Sequence, residues 1–196
     1  MKINRDQLIV VLKEKYDYEI QRKLYYETIL NIPVTLLGLL SAGLFYLLNT
    51  TDLNSRIWYI TIKLPLIGLI VLCGCIAVYF VFGVLFGYKR EYKSFPNSDE
   101  VKRNFDQAVQ YHTKIAKIPE SKLIQYLTKE ARQNEINDLV NELFRDFIVK
   151  WYVEINVNNS SVNDKRGNSL YWAKMFIGIS FLGIIIVFFL SIISKI

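Results

Sequence analysis

The residues best suited to chemistry are few. One histidine, His112, stands in a chain of 196 residues, and the two cysteines, Cys73 and Cys75, flank a glycine inside an apolar run. A zinc site takes three or four Cys, His or carboxylate ligands, and acid–base catalysis at neutral pH most often takes a histidine beside an orienting partner. No second histidine completes a metal site or a dyad. His112 is expected as a packed or boundary side chain, and Cys73-Gly74-Cys75 as a place where helices approach closely. Asp138, Glu142 and Asp146 recur every four residues beside Arg145 and Lys150, the pattern of a solvated helix face. No phosphate-binding glycine loop, dinucleotide fingerprint or nucleophile elbow occurs. The sequence predicts a protein that is not an enzyme and uses no cofactor or metal.

The distribution of charge says what it is instead. The chain is 52% hydrophobic and 21% charged, close to an ordinary soluble average of ~45–50% and ~25%. Yet no ionisable Asp, Glu, Lys or Arg lies between Glu27 and Asp52, between Lys63 and Lys89, or between Lys174 and Lys195. A membrane-spanning helix needs roughly 20 mostly apolar residues, and each gap is long enough. A soluble globular domain, a disordered chain and a disulfide-rich secreted domain are excluded. A mixed-charge N-terminus followed by a late, long apolar run also argues against a cleaved signal peptide.

The expected fold is an all-α membrane protein in four segments. Residues 1–28 form an amphipathic cytoplasmic helix with Leu8, Leu12, Tyr16, Ile20 and Leu24 on one stripe. Residues 29–88 form a two-span hairpin, with spans at about 29–48 and 64–88 joined by a short loop through Trp58 and Tyr59. Pro33 kinks the first span or starts a new helix, and Pro65 suits a first helical turn. Residues 89–169 form a cytoplasmic helical region, with a helix start at Ser98-Asp99 and an Asn/Ser run at 156–163. Residues 170–196 form a third span entered by Tyr171 and Trp172. Lys and Arg are concentrated in residues 1–28 and 89–174, so positive-inside logic puts both on the cytoplasmic side of a bacterial inner membrane and the short loop outside.

Function is then sought in the spans and in the cytoplasmic helices. The spans carry no charge for a proton relay or voltage sensor, and three spans cannot enclose a path in one chain. A path requires a homo-oligomer in the bilayer, lined by Asn31, Thr35, Ser41 and Tyr46. Gly38, Gly43, Gly83 and Gly87 are expected to pack helix on helix. Ile136, Val140, Leu143, Phe147 and Trp151 alternate three and four apart, the spacing of a seam for an oligomer or a partner. Lys102, Arg103, Lys114 and Lys117, interleaved with Phe105, Tyr111 and His112, are candidates for binding a phosphate, a base or a protein partner.

The layout resembles a known family. The stretch Tyr16-Asp17-Tyr18-Glu19-Ile20-Gln21-Arg22-Lys23-Leu24-Tyr25-Tyr26 runs into the first span, and Gly87-Tyr88-Lys89-Arg90-Glu91-Tyr92 follows the second. Together with the long helical return, these resemble SLATT effectors of bacterial antiviral defence. The Asn156–Asn163 run leading through Asp164-Lys165-Arg166 into an aromatic-rich span is similar to defence-associated membrane proteins of this size. The third span departs from the two-span pattern. The resemblance implies a pore-forming effector of a CBASS-like or Hailong-type system, held in check or triggered by a nucleotidyltransferase-family partner or its nucleotide or oligonucleotide signal. The alternative is a membrane-anchored sensor or scaffold that docks a soluble partner without conducting ions.

Overall fold

A computed structural model describes residues 5–50, 57–87, 91–116 and 129–193. Among these residues the chain is all-helical: α1 (Arg5–Ile29), α2 (Asn31–Thr50), α3 (Ile57–Phe86), α4 (Ser98–Ala116) and α5 (Lys129–Ile193). Three helical segments, Arg5–Asn49, Thr61–Phe86 and Asn137–Ile193, contain a stretch long and apolar enough to cross a membrane.

The joint between α1 and α2 falls at Leu30, three residues before Pro33. Proline has no N–H to give the carbonyl four residues earlier, which is that of Ile29, the last residue of α1. Bonds from Leu30 N–H to the Tyr26 carbonyl (3.2 Å) and from Val34 N–H to the Leu30 carbonyl (3.3 Å) carry the backbone ladder through the joint. Pro65 is not at a first turn. α3 starts at Ile57, so Pro65 and the buried Lys63 lie inside it. Nothing between Ile57 and Ile62 breaks a helix, and the apolar run simply extends backward past the lysine.

The chain forms two compact units, one of Met1–Glu19 with Tyr92–Asn159 and the other of Ile20–Glu91 with Ser160–Ile196. The second unit packs α2 and α3 against the C-terminal part of α5. One cluster joins Leu30, Val81, Val84, Leu170 and Ala173, and another joins Leu40, Leu47, Ile67, Ile70 and Val187. Lipid tails are as apolar as leucine, so close packing and hydrogen bonds must hold such helices together. Small residues supply the closeness. A β-carbon on Gly183 would come within 2.6 Å of Ile70 Cγ1, and one on Gly43 within 3.3 Å of Ile184 Cδ1. The Ser180 hydroxyl, buried between α5 and α3, lies 2.9 Å from the Phe176 carbonyl and 3.4 Å from that of Ile70.

The first unit packs α4 and the start of α1 against the N-terminal part of α5. Arg5 reaches Glu142 and Asp146, each at 3.4 Å, and Arg145 reaches Asp6 at 3.3 Å. Phe105 of α4 meets Phe144 edge-on at 5.2 Å. α4 begins one residue after Asn97, whose Oδ1 accepts the Glu100 N–H at 2.9 Å. The helix cap is therefore Asn97 rather than Ser98, because the segment leading in from Pro96 places the asparagine at the turn.

α5 carries the expected boundary at 169/170 inside a single helix. It is one helix of 65 residues that runs through the Asn/Ser stretch without a break. Asparagine and serine disfavour helix only weakly, and here their side chains have partners in the fold.

Candidate functional site

Along α5, Asn159, Asn163, Arg166, Leu170, Ala173, Ile177 and Ser180 are all buried, at alternating steps of four and three. One stripe is thus polar in its upstream half and apolar where the third span begins. Asn159 is fully buried, and its amide reads the main chain of Lys93 in both directions: Oδ1 accepts the Lys93 N–H and Nδ2 donates to the Lys93 carbonyl, each at 3.0 Å. Asn156 Nδ2 donates to the Leu12 carbonyl at 2.9 Å. In the second unit, Arg22 pairs with Asp164 at 2.7 Å. The buried Arg166 donates to the Leu85 carbonyl at 3.2 Å and lies 3.7 Å from Glu27. It thereby satisfies one of the carbonyls that the last turn of α3 leaves without a helical partner. Gly87 follows with φ +54°, the left-handed cap conformation. A β-carbon there would meet Val162 at 3.4 Å and Arg166 at 3.5 Å.

Among the described residues, two recesses on the first unit bear on binding. One, of about 400 Å³, lies along α4 and is lined by Asp99, Lys102, Arg103, Asp106, Gln107 and Gln110. Two carboxylates beside two cations leave it without net charge. The other, of about 540 Å³, lies between residues 92–100 and one turn of α5 from Trp151 to Ile155. Phe95 packs on Trp151 at 5.8 Å and on Tyr152 at 4.9 Å, and the Lys93 ammonium pairs with the Glu154 carboxylate. That hydrogen bond and charge hold the Glu154 carboxyl below its ordinary value. Burial, then the nearby Asp17 and Tyr16, pushes the Tyr152 phenol up.

The residues singled out from sequence are distributed as follows. Asn31, Thr35, Ser41 and Tyr46 are all exposed on α2, with Thr35 and Ser41 donating to the carbonyls of Asn31 and Leu37. Gly43 meets Ile184 and Gly83 is buried, whereas a β-carbon on Gly38 would meet nothing within 4 Å. Gly87 caps α3 instead of lying along it. Val140 is buried, and Leu143, Phe147 and Trp151 are half-buried within the first unit. Lys102, Arg103 and Tyr111 are exposed on α4. Lys117 lies outside the described residues, as do the side chains of His112, Lys114 and Ile136. Among the described residues, no three His, Cys, Asp or Glu side chains form a metal-binding group. Cys73 is buried and Cys75 exposed, both as free thiols.

The polar half of the α5 stripe was missed from sequence. Its signal is there, since Asn159, Asn163 and Arg166 keep the same alternating spacing as the apolar positions that follow. A search for apolar periodicity passes over it. No family model, curated protein or solved structure matches the chain.

Proposed function

We propose that this protein is a membrane effector that assembles from identical copies into an ion channel in a bacterial inner membrane, with α2 lining the path. The observation that carries the reading is the face α2 turns away from its own unit. At 3.6 residues per turn, the side opposite Leu30, Pro33, Leu37, Leu40, Leu44 and Leu47 presents Asn31, Thr35, Gly38, Ala42 and Asn49, with Phe45 at its edge, all exposed. The outward faces of the other spanning helices carry residues that suit lipid, such as Leu69 and Leu72 on α3 and Leu182, Ile186 and Phe189 on α5. Polar groups at membrane depth face a partner helix or a water-filled cavity.

The flanks of that face support assembly. Ile32, Leu39 and Tyr46 border it on one side, and Val34, Ser41 and Leu48 on the other, both rows seven residues apart and exposed. In a ring of parallel α2 helices the two rows meet between neighbours, and Asn31 and Thr35 turn to the axis. A role in antiviral defence, and control by a nucleotidyltransferase-family protein or its nucleotide signal through the helices of the first unit, rest on the resemblance to SLATT effectors.

Ion flux from liposomes containing the purified full chain tests this. Flux that falls several-fold in Thr35→Leu, with the oligomer retained, supports α2 as the lining. Absence of flux with and without a cognate nucleotide or partner overturns the channel. The recess beside Trp151 favours one second reading, a membrane-anchored scaffold. It predicts a co-purifying soluble protein and no flux.

A further inference from the structure

The recess of the first unit is built more firmly than a surface dip. Its wall from Tyr92 to Asn97 is pinned at both ends. At one end the fully buried Asn159 clamps both main-chain groups of Lys93. At the other, Asn97 caps α4 through the Glu100 N–H, and its carbonyl accepts the Val101 N–H at 3.0 Å. Between these points Phe95 is held against Trp151 and Tyr152. Its volume of about 540 Å³ falls in the range of small-molecule sites, and it is open to solvent.

The charges decide what fits. Three acidic or basic side chains line the recess: Lys93, Glu100 and Glu154. The Lys93 ammonium is already on the Glu154 carboxylate. The Glu100 main-chain N–H is taken up by the cap, while its carboxylate is exposed and forms no ion pair among the described residues. Lys150 adds its charge on the Glu154 side, which leaves the Glu100 carboxylate as the acceptor that faces Tyr92, Phe95 and Trp151 across the recess without an ion pair among the described residues. Aromatic rings attract cations through their quadrupole and do nothing to offset a phosphate. A phosphate would have to approach Glu100 against like charge.

We propose that this recess binds an organic cation, an ammonium or guanidinium group, with Glu100 as its counter-ion and Trp151 and Phe95 as its aromatic walls. Such a group arrives on a free polyamine or on a lysine or arginine side chain of a protein partner. The site is independent of whether the chain conducts ions. It also separates the first unit's ligand from the nucleotide that the resemblance implies, which would need another surface.

Trp151 is the reporter. Replacing Trp58 and Trp172 with Phe in the full chain leaves it the only tryptophan. Agmatine, spermidine and an arginine-containing tripeptide are titrated separately, with ATP as the anionic comparison. The expected result is a saturable change in Trp151 emission with a cation, weakened at least tenfold in Glu100→Gln, and none with ATP. Tighter binding of spermidine points to a polyamine, and tighter binding of the tripeptide to a protein side chain. No saturable change with any cation, equal binding by Glu100→Gln, or saturation by ATP alone overturns the proposal. Calorimetric titration of the unsubstituted chain with agmatine gives the same decision if the tryptophan replacements disturb folding.

Discussion

Asn159 holds Lys93 by its main chain, accepting its N–H and donating to its carbonyl at 3.0 Å each. A side-chain amide used this way substitutes for the backbone partner that an irregular segment lacks. Asn159→Leu takes the partner from both Lys93 main-chain groups, whose bonds to it are part-buried, at a cost of about 0.5–1.5 kcal/mol for each hydrogen bond lost. The expected outcome is faster amide exchange and earlier proteolysis around Lys93, with the spans unaffected. Asn159→Asp, which keeps an acceptor and loses the donor, should fall between the two.

The Lys93–Glu154 pair gives the same segment a pH dependence of known sign. The Glu154 carboxyl is held low by the Lys93 hydrogen bond and charge. A depressed carboxyl stabilises the folded form above its unfolded value and loses that contribution as pH falls through the folded one. Amide protection of residues 93–97 should decrease on acidification below the ordinary carboxylate range. Glu154→Gln should remove that dependence. The pair is exposed, so 0.5 M salt should weaken it as well.

Gly183 and Ile70 set the approach of α5 to α3. A methyl group on Gly183 would stand 2.6 Å from Ile70 Cγ1, and overpacking of this kind costs about 1–3 kcal/mol. Gly183→Ala should lower the detergent unfolding temperature, and Ile70→Ala in the same chain should restore part of it. Equal loss in the single and double variants would show that the two residues do not meet.

Arg166 and Gly87 should behave as a coupled pair. Gly87→Ala costs roughly 1–2 kcal/mol from the left-handed backbone alone, and its methyl also crowds the guanidinium. Arg166→Leu leaves the Leu85 carbonyl without its donor and Glu27 without this cation. A double-mutant cycle on thermal stability should return a non-additive term above about 0.5 kcal/mol, as neighbours sharing a contact do.

Assembly can be read directly. With Cys73 and Cys75 replaced by Ala, Leu39→Cys and Ser41→Cys on one chain should form a ladder of oxidised multimers in membranes. Either cysteine alone should not extend beyond a dimer. Leu182→Cys with Ile186→Cys, on the outward face of α5, should give no ladder. A ladder from the α5 pair and none from the α2 pair would move the contact away from α2.

The spans were legible because charge cannot hide: three uncharged gaps mark three helices with little ambiguity. Boundaries were less so. Lys63 reads as a span edge, yet it is buried inside α3. The α1 stripe was read at a strict four-residue step, which drifts by about 40° each time on a 3.6-residue helix. Leu24, at the end of that series, is accordingly exposed. The spacing of Asn159 and Arg166 is legible, but their partners, Lys93 and Leu85, are not, because they lie far away in the chain. The positive φ of Gly87 is not legible either, because composition does not reveal backbone conformation.

The unbroken course of α5 also dictates which changes of length the protein tolerates. Each residue removed from an α-helix turns everything beyond it by about 100°. A single deletion between Asn159 and Ser180 would rotate Ile184 and Val187 away from α2 and α3 and bring lipid-facing side chains such as Ile185 and Phe188 round to meet them. Removal of seven residues would nearly restore the facing and shorten the helix by two turns. Natural variants of this chain should therefore differ in length outside α5, and within it only by whole heptads.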